Sequence, residues 1–372
     1  MELRHLKGIR RVVSVVLFVL SGFLFVDLGN VLPPQLTNIV VSFQFVPALI
    51  KTISAFGLWT IGAVFVVGLT IAFGRVYCSS LCPLGTLQDF FIYFTLRWKK
   101  RRHRRRWYEY TTPPYLVHYL LLAVLTVSAL AGFFFLLNLL EPFSNFGRIT
   151  GSLVRPVIAG INNSLASVLE SLRSYNLYRI PIHGIQSEVL AGTVLFFGVL
   201  AYLSMKHGRL FCNLLCPAGA VLSLLSRLAV FKIAIDRNTC NDCGLCEKVC
   251  KAKCIDSDTK RIDFAACISC FDCIDACPTV GLKYEGVFNR SRPLATGPAS
   301  PARREFLKTS ALPVVLAVGV SPDSTTVGKS KSKNPVTPPG SLGIDHFSQR
   351  CTACQLCVSV CPTQVIRPSF VE

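Results

Sequence analysis

Apolar residues in this chain gather in blocks instead of alternating with polar ones. Four blocks, at about residues 12–29, 56–73, 115–137 and 188–205, each approach the roughly 20 residues that carry a helix across a bilayer, and together they predict four transmembrane helices. The polar positions between them are lopsided. Arg4, Lys7, Arg10 and Arg11 flank the first block, and Arg97, Lys99, Lys100, Arg101, Arg102, Arg104, Arg105 and Arg106 follow the second, while the connection between the two carries only Lys51. Lys and Arg concentrate in cytoplasmic loops, so the N-terminus and the basic loop are expected inside and the long connection 141–187 outside. The first block has no evident cleavage site and reads as an uncleaved anchor.

Composition sharpens this picture. The chain has 372 residues, 51% hydrophobic and 16% charged, with a net charge of +19, which is unlike a soluble domain. Such a charge invites a nucleic-acid reading. With this much apolar sequence it fits basic loops beside anionic headgroups better, so lipid and not nucleic acid is the expected partner.

Seventeen cysteines, all but Cys254 in repeated C-x-x-C or C-x-x-x-C-P groups, describe a metal framework and not a secreted disulfide scaffold. The pattern G-R-x-x-C-x-x-L-C-P-x-G occurs twice, over 74–85 and 208–219, each time where an apolar block ends. It marks the membrane part, residues 1–235, as a parallel duplication of a helical hairpin. If each segment is helical, Cys78 with Cys82 and Cys212 with Cys216 share a face, and Pro83 and Pro217 perturb the helix beyond. Four thiols on one membrane surface can hold a metal or iron–sulfur centre, cycle as dithiols, or simply pack.

Residues 236–285 carry two C-x-x-C-x-x-C-x-x-x-C runs, the ferredoxin signature in which three thiolates wrap one cluster and the fourth reaches the other. The pattern assigns Cys240, Cys243, Cys246 and Cys277 to one [4Fe-4S] cluster, and Cys267, Cys270, Cys273 and Cys250 to a second. Zinc sites favour two separated pairs. Cys254 stands four residues past its run, where the corresponding residues are Gly281 and Val365, and is read as a packed thiol. A third run, Cys351, Cys354, Cys357 and Cys361, closes the sequence at 346–372 without a partner run, so at least one more cluster and a continuation of the chain are expected.

Between the ferredoxin regions lie Arg303-Arg304-Glu305-Phe306-Leu307-Lys308 and a modest apolar stretch, a twin-arginine export pattern over 301–320. Polar, Gly- and Pro-rich linkers at 286–300 and 321–345 flank it. The signal places the middle ferredoxin domain in the cytoplasm and the last run outside. Among weaker features, His118 and His207 are read as satisfied or exposed histidines in preference to haem ligands. Glu141, beside Pro142 and level with Gln44, is equally a quinol proton acceptor or a helix cap.

With these residues in view, the chain resembles the polyferredoxin-like membrane proteins that include NapH-type quinol dehydrogenase subunits, nitrous-oxide regulators and cytochrome-oxidase assembly iron–sulfur proteins. The likeness covers about residues 1–285. From Arg303 onward the chain is similar to the start of a NapG-type exported ferredoxin, with one run where that family has four and with Lys251 where a proline usually follows the fourth cysteine. The resemblance implies an all-α membrane domain of four transmembrane helices, an α+β dicluster ferredoxin domain and a partial second one, in the bacterial cytoplasmic membrane. It further implies electron relay from the quinone pool to an extracytoplasmic redox protein or reductase, as a component of a quinol dehydrogenase-like system. Redox assembly factors and redox-sensing membrane regulators are the competing readings.

Overall fold

The computed structural model describes residues 4–27, 32–54, 58–101, 110, 115–131, 135–172, 177, 179–180, 187–286, 347, 351, 356–360 and 366. Apart from Gly286, the expected linkers and twin-arginine stretch lie outside these residues, as do Cys354 and Cys361. The first part is helical, with Arg4–Val26, Leu58–Phe73, Pro83–Arg101, Tyr115–Leu130, Arg155–Ser171 and Ser187–His207 as its longer helices.

The expectation of four transmembrane helices does not hold. Among the described residues two helices are long and apolar enough to cross a membrane, His5–Val26 with 22 residues and Ser187–His207 with 21. At 1.5 Å per residue each is roughly 32 Å long, enough for a hydrocarbon core of about 30 Å. The second and third blocks form helices of only 16 residues, Leu58–Phe73 and Tyr115–Leu130, about 24 Å each. Both fall short because of where the helix stops. Gly74, with φ +82°, turns the chain after Phe73, and the third block leaves the helical path at Ala131 before a separate helix, Phe135–Leu140. Hydropathy counts apolar residues, whereas crossing length counts unbroken helix.

A second departure concerns the connection 141–187, which is no simple outer loop. Its first helix, Pro142–Ile149, is buried almost throughout. Phe143 and Phe146 meet Phe25 and Phe18 of the N-terminal helix with ring centroids 5.3–6.0 Å apart, the tilted and edge-on packing that aromatic quadrupoles favour. Glu141 is fully buried and caps this helix, its carboxylate accepting from Phe143 N at 3.0 Å and from Ser144 N. Of its two readings, the cap is what the geometry displays.

The cysteine-rich region is built on two small antiparallel ladders. Strand β1 (Phe231–Ile235) pairs with β4 (Leu282–Gly286), Ile233 opposite Tyr284, and β2 (Ile255–Asp256) pairs with β3 (Arg261–Ile262). The outer ladder ties the two ends of the region together, and β1 begins upstream of the boundary expected at 236. This domain sits on one end of the helical part. It meets the N-terminal end of Arg4–Val26 through Lys7 and Asp275 (2.6 Å), the C-terminal end of Leu58–Phe73 through Ser269 Oγ donating to Phe73 O (3.0 Å), and the end of Ser187–His207 through Arg209 N donating to Lys251 O (2.9 Å). The two long helices thus turn their ferredoxin-side ends the same way.

Candidate functional site

Each C-x-x-C-x-x-C loop of the small domain is wound by the same backbone device. Two residues after the first cysteine and four after it, φ is positive: Asp242 (53°) and Gly244 (64°) in one loop, Ser269 (51°) and Phe271 (59°) in the other. Three residues past the fourth cysteines, Lys253 (53°) and Val280 (55°) repeat the match. Positive φ is costly outside glycine, most of all for a β-branched valine, so such a matched set marks loops whose course is dictated by what they surround.

That course brings the cysteines into two cavities. Cys240, Cys243, Cys246 and Cys277 line one, with Gly281 N donating to Cys277 Sγ at 3.3 Å. Cys250, Cys267, Cys270 and Cys273 line the other, among Ile233, Ile255, Ile268 and Phe271. These are the two sets that the ferredoxin pattern pairs across runs. Cys254 lines the second cavity as a fifth thiol, its Sγ 3.5 Å from Cys250 Sγ and its backbone N–H donating to that sulfur. Hydrogen bonding from Cys254 pulls the Cys250 thiol down to about 7, while burial pushes Cys246 up to about 11 and Cys270 up to about 12. Thiols as reluctant to ionise as Cys246 and Cys270 become ligands when a metal supplies the compensating charge.

Both cavities fit [4Fe-4S] clusters in ligand count and sulfur donors, and the second also in its apolar wall. Among the described residues no three His, Cys, Asp or Glu side chains stand close enough to hold a single metal ion. The environments differ. All cysteines of the second cavity are buried against the helical part, whereas Cys243 is exposed and Cys240, Cys246 and Cys277 are half-buried.

The repeats in the helical part form a matching pair. Gly74 (φ +82°) and Gly208 (φ +71°) turn the chain into Arg75 and Arg209, both fully buried. Cys78 lies in a π-helical turn, Tyr77–Leu81, and Cys212 in a short helix, Leu210–Leu214. Cys82 and Cys216 do not continue those helices. Both have extended backbone (ψ 115° and 120°), donate N–H to Tyr77 O and Phe211 O at 3.0 Å, and precede Pro83 and Pro217, the first residues of the following helices. The prolines therefore start helices, where a missing N–H costs nothing, instead of perturbing one.

Each repeat also grips the other. Arg75 donates to Cys212 O at 2.9 Å and Arg209 to Cys78 O at 3.0 Å. A Cβ on Gly85 would stand 2.4 Å from Cys78 O, and one on Gly219 2.1 Å from Cys212 O. The result is a single cavity lined by Cys78, Cys82, Cys212 and Cys216 together with Tyr77, Gln88 and Pro142.

Charged residues join this cavity to the second ferredoxin cavity. Asp89 meets Arg209 (2.9 Å), Lys251 (3.3 Å) and Arg10 (3.4 Å); Asp272 meets Lys251 (2.8 Å), Lys7 (3.1 Å) and Arg11 (3.7 Å). Burial works against the Lys251 ammonium, but Asp89 and Asp272 outweigh it and hold it above its usual range. Burial likewise pushes Asp89 up, and Arg209, Lys251 and Arg10 more than reverse this. Part of the basic flank read as a topology signal is thus committed to the ferredoxin domain. Pattern reading missed Arg75, Arg209, Asp89 and Asn213 as site residues, although the arginine recurs in both repeats and Lys251 stands where proline is usual.

The remaining expected residues are placed apart. His118 is buried, its Nε2 3.4 Å from Cys216 O, and His207 ends its helix. Gln44 accepts from the Tyr77 hydroxyl at 3.2 Å. Of the last run, Cys351 and Cys357 are described; Asn138 donates to Cys351 O at 3.2 Å, and Cys357 lies exposed on the helix Leu356–Val360.

Comparison with known proteins places these sites in context. A family model described as a 4Fe-4S binding domain matches residues 55–103 and 189–236, the two repeats, and another of that description matches 346–367. An uncharacterised protein of Methanocaldococcus jannaschii is 33% identical over 90 residues, 24% of this chain and 36% of its own. The putative electron transport protein YccM of Escherichia coli K12 is 25% identical over 253 residues, 68% of this chain and 60% of its own. An NADH-quinone oxidoreductase subunit I of Geobacter metallireducens is 34% identical over 73 residues, 16% of this chain and 56% of its own. The chain thus spans 36% and 60% of the length of the first two relatives. No solved structure matches it. These matches give the chain 4Fe-4S binding regions and a likeness to distant bacterial and archaeal proteins.

Proposed function

We propose that the chain is a membrane-anchored relay that takes electrons from quinol and passes them through its [4Fe-4S] clusters to an extracytoplasmic redox partner. The observation that carries this reading is the graded exposure of the two four-cysteine cavities. One is buried against the helical part and the other opens to solvent at Cys243, an order suited to passing electrons between the helical part and the side on which the ferredoxin domain lies, while the exit to the extracytoplasmic side rests on the last cysteine run. The clusters supply reversible one-electron chemistry, and their potentials are set by charge, hydrogen bonds and exposure.

The residues of the chain do the positioning. Cys254 N–H and Gly281 N–H donate to ligand sulfurs, Lys251 fixes the second cavity over the helical part, and the apolar wall of Ile233, Ile255 and Phe271 excludes water. Membrane anchoring is supported by the two long apolar helices and by the exposed apolar side chains on them, including Val12, Val16, Phe23, Leu195 and Val199; soluble monomers rarely leave patches of this kind uncovered. The basic flank of the first helix favours a cytoplasmic ferredoxin domain, since that domain holds the same end. An extracytoplasmic acceptor is supported by the Arg303-Arg304 pattern and the last cysteine run.

Anaerobic EPR before and after adding a menaquinol analogue tests this reading, with dithionite as the full-reduction control. Quinol-developed signals that vanish in Cys240→Ser and Cys267→Ser variants are the expected result. Reduction by dithionite alone would overturn quinol as donor.

A further inference from the structure

We propose that the two G-R-x-x-C-x-x-L-C-P-x-G repeats jointly hold one iron–sulfur cluster, ligated by Cys78, Cys82, Cys212 and Cys216, with the buried Arg75 guanidinium as its counter-charge. The inference rests on the electron-transfer reading above and adds a centre to it. The family description covers both repeats; the geometry says that they share a single site.

Three observations lead there. All four thiols line one cavity, as the two cysteine sets of the ferredoxin domain line theirs. The cavity is made by reciprocal contacts, each arginine bonding the carbonyl of the other repeat's first cysteine and each motif glycine leaving room for its own repeat's cysteine carbonyl. Neither repeat could form this site alone.

Charge is the third observation. Arg209 has a carboxylate partner in Asp89 at 2.9 Å. Arg75 is fully buried, and its partners are Asn213 Oδ1 (2.7 Å), the carbonyls of Ala265 and Cys212 (2.9 Å each) and Cys78 Sγ (3.9 Å), with Nε left without one. A guanidinium cannot shed its proton, and a buried cation without an anion is expensive. The anion within its reach is a thiolate at Cys78. A neutral, merely packed set of thiols leaves that charge unanswered; an anionic metal–thiolate centre answers it.

The class of centre follows from spacing. A lone tetrahedral ion at about 2.3 Å from each sulfur needs thiols gathered more tightly than these, as no such group exists among the described residues. The ferredoxin cavities share that property, and the family description that matches both repeats is a 4Fe-4S binding domain. Ligation replaces four S–H bonds by four Fe–S bonds and releases four protons, with the cluster delivered preassembled, so no oxidant is consumed. Arg75 also donates to Ala265 O, and Asn213 to Ala266 O at 3.3 Å, two residues and one residue before Cys267. The proposed centre is thereby next to the second ferredoxin cavity.

The test uses the full chain, purified anaerobically in detergent, with iron and acid-labile sulfide counted and EPR recorded during redox titration. Cys78→Ala/Cys82→Ala and Cys212→Ala/Cys216→Ala are each expected to lose about four irons and their sulfide, the same loss as the quadruple variant, while the ferredoxin signals persist and report an intact fold. Additive half-losses would overturn a shared centre, unchanged iron in the quadruple variant would overturn any centre, and a zinc ion without sulfide would overturn the cluster. Arg75→Lys should keep the centre, and Arg75→Gln should lose it or lower its midpoint potential; equal iron at equal potential in Arg75→Gln would remove Arg75 from its role. Ferredoxin signals that quinol fails to develop would count against the relay alone and leave this count of iron unaffected.

Discussion

The chain carries cysteines in two duplicated settings, and they are organised by opposite means. In the ferredoxin domain the loops themselves do the wrapping, with positive φ at Asp242, Gly244, Ser269 and Phe271. In the helical part, neither repeat wraps anything. Two chain segments close on each other through Arg75 and Arg209, and close approach at Gly85 and Gly219 replaces loop curvature. Local geometry makes the first kind of site and tertiary contact makes the second, so substitutions should act locally in one and across the whole helical part in the other.

The largest effect is expected where a ligand is removed. Cys270→Ala takes one of the four ligand thiols assigned to the second cavity and should abolish that cluster's EPR signal while the signal from the Cys240, Cys243, Cys246 and Cys277 set remains. Loss of both signals would mean that the two cavities are not independent.

Next comes Asp89, the carboxylate between three cations. Its partner Arg209 is fully buried, so Asp89→Asn leaves that cation without its carboxylate, while Lys251 keeps Asp272, and should cost about 3–5 kcal/mol, measurable as a lowered unfolding temperature. The acid dependence has a definite sign. These cations hold the folded-state value of Asp89 below that of the unfolded chain, about 3.9. Its contribution is therefore complete above that value and fades as pH falls through the lower folded value. Wild-type protein should lose stability below about pH 4 more steeply than Asp89→Asn, and parallel acid limbs would refute this account.

A paired glycine test addresses the comparison directly. Gly219→Ala puts a Cβ 2.1 Å from a backbone carbonyl, whereas Gly281→Ala in the ferredoxin domain meets only atoms at 3.4 Å. The first should cost about 1–3 kcal/mol or more and the second about 0.5 kcal/mol or less. Similar shifts in thermal unfolding would mean that the tight approach of Gly219 to Cys212 O, and to the Arg75 guanidinium of the other repeat at 3.0 Å, carries no special weight in closing the helical site.

The same distinction decides what could be read from the sequence. The ferredoxin cavities were legible down to the cross-run sets because a fixed spacing, as in Cys267, Cys270 and Cys273, dictates local geometry. The repeats were legible as motifs, yet their meaning was not, since the partner of Arg75 is Cys212, 137 residues away, and no spacing rule reaches that far. The four-span expectation failed for a related reason. Apolar content marks what a helix can touch, but Gly74 and the break at Ala131 decide how long it is. Glu141 remained ambiguous in sequence because capping Phe143 and Ser144 is settled by burial of the helix that follows.

The smallest effect should fall on Cys254, the fifth thiol of the second cavity. Sequence alignment of the runs makes it a packing residue, and its Sγ lies 3.5 Å from Cys250 Sγ. Cys254→Ala keeps the backbone N–H that donates to Cys250 and removes only the thiol, a small buried group. Both clusters should persist, with iron content unchanged, and the midpoint potential of the second cluster should move slightly downward as a donor to its ligand sulfur is lost. A larger change would separate the two settings differently, for it would mean that even a cavity made by local loops depends on a thiol that the cysteine spacing does not count. Redox-titrated EPR on Cys254→Ala beside Cys254→Ser, which keeps a donor, distinguishes loss of the hydrogen bond from loss of volume.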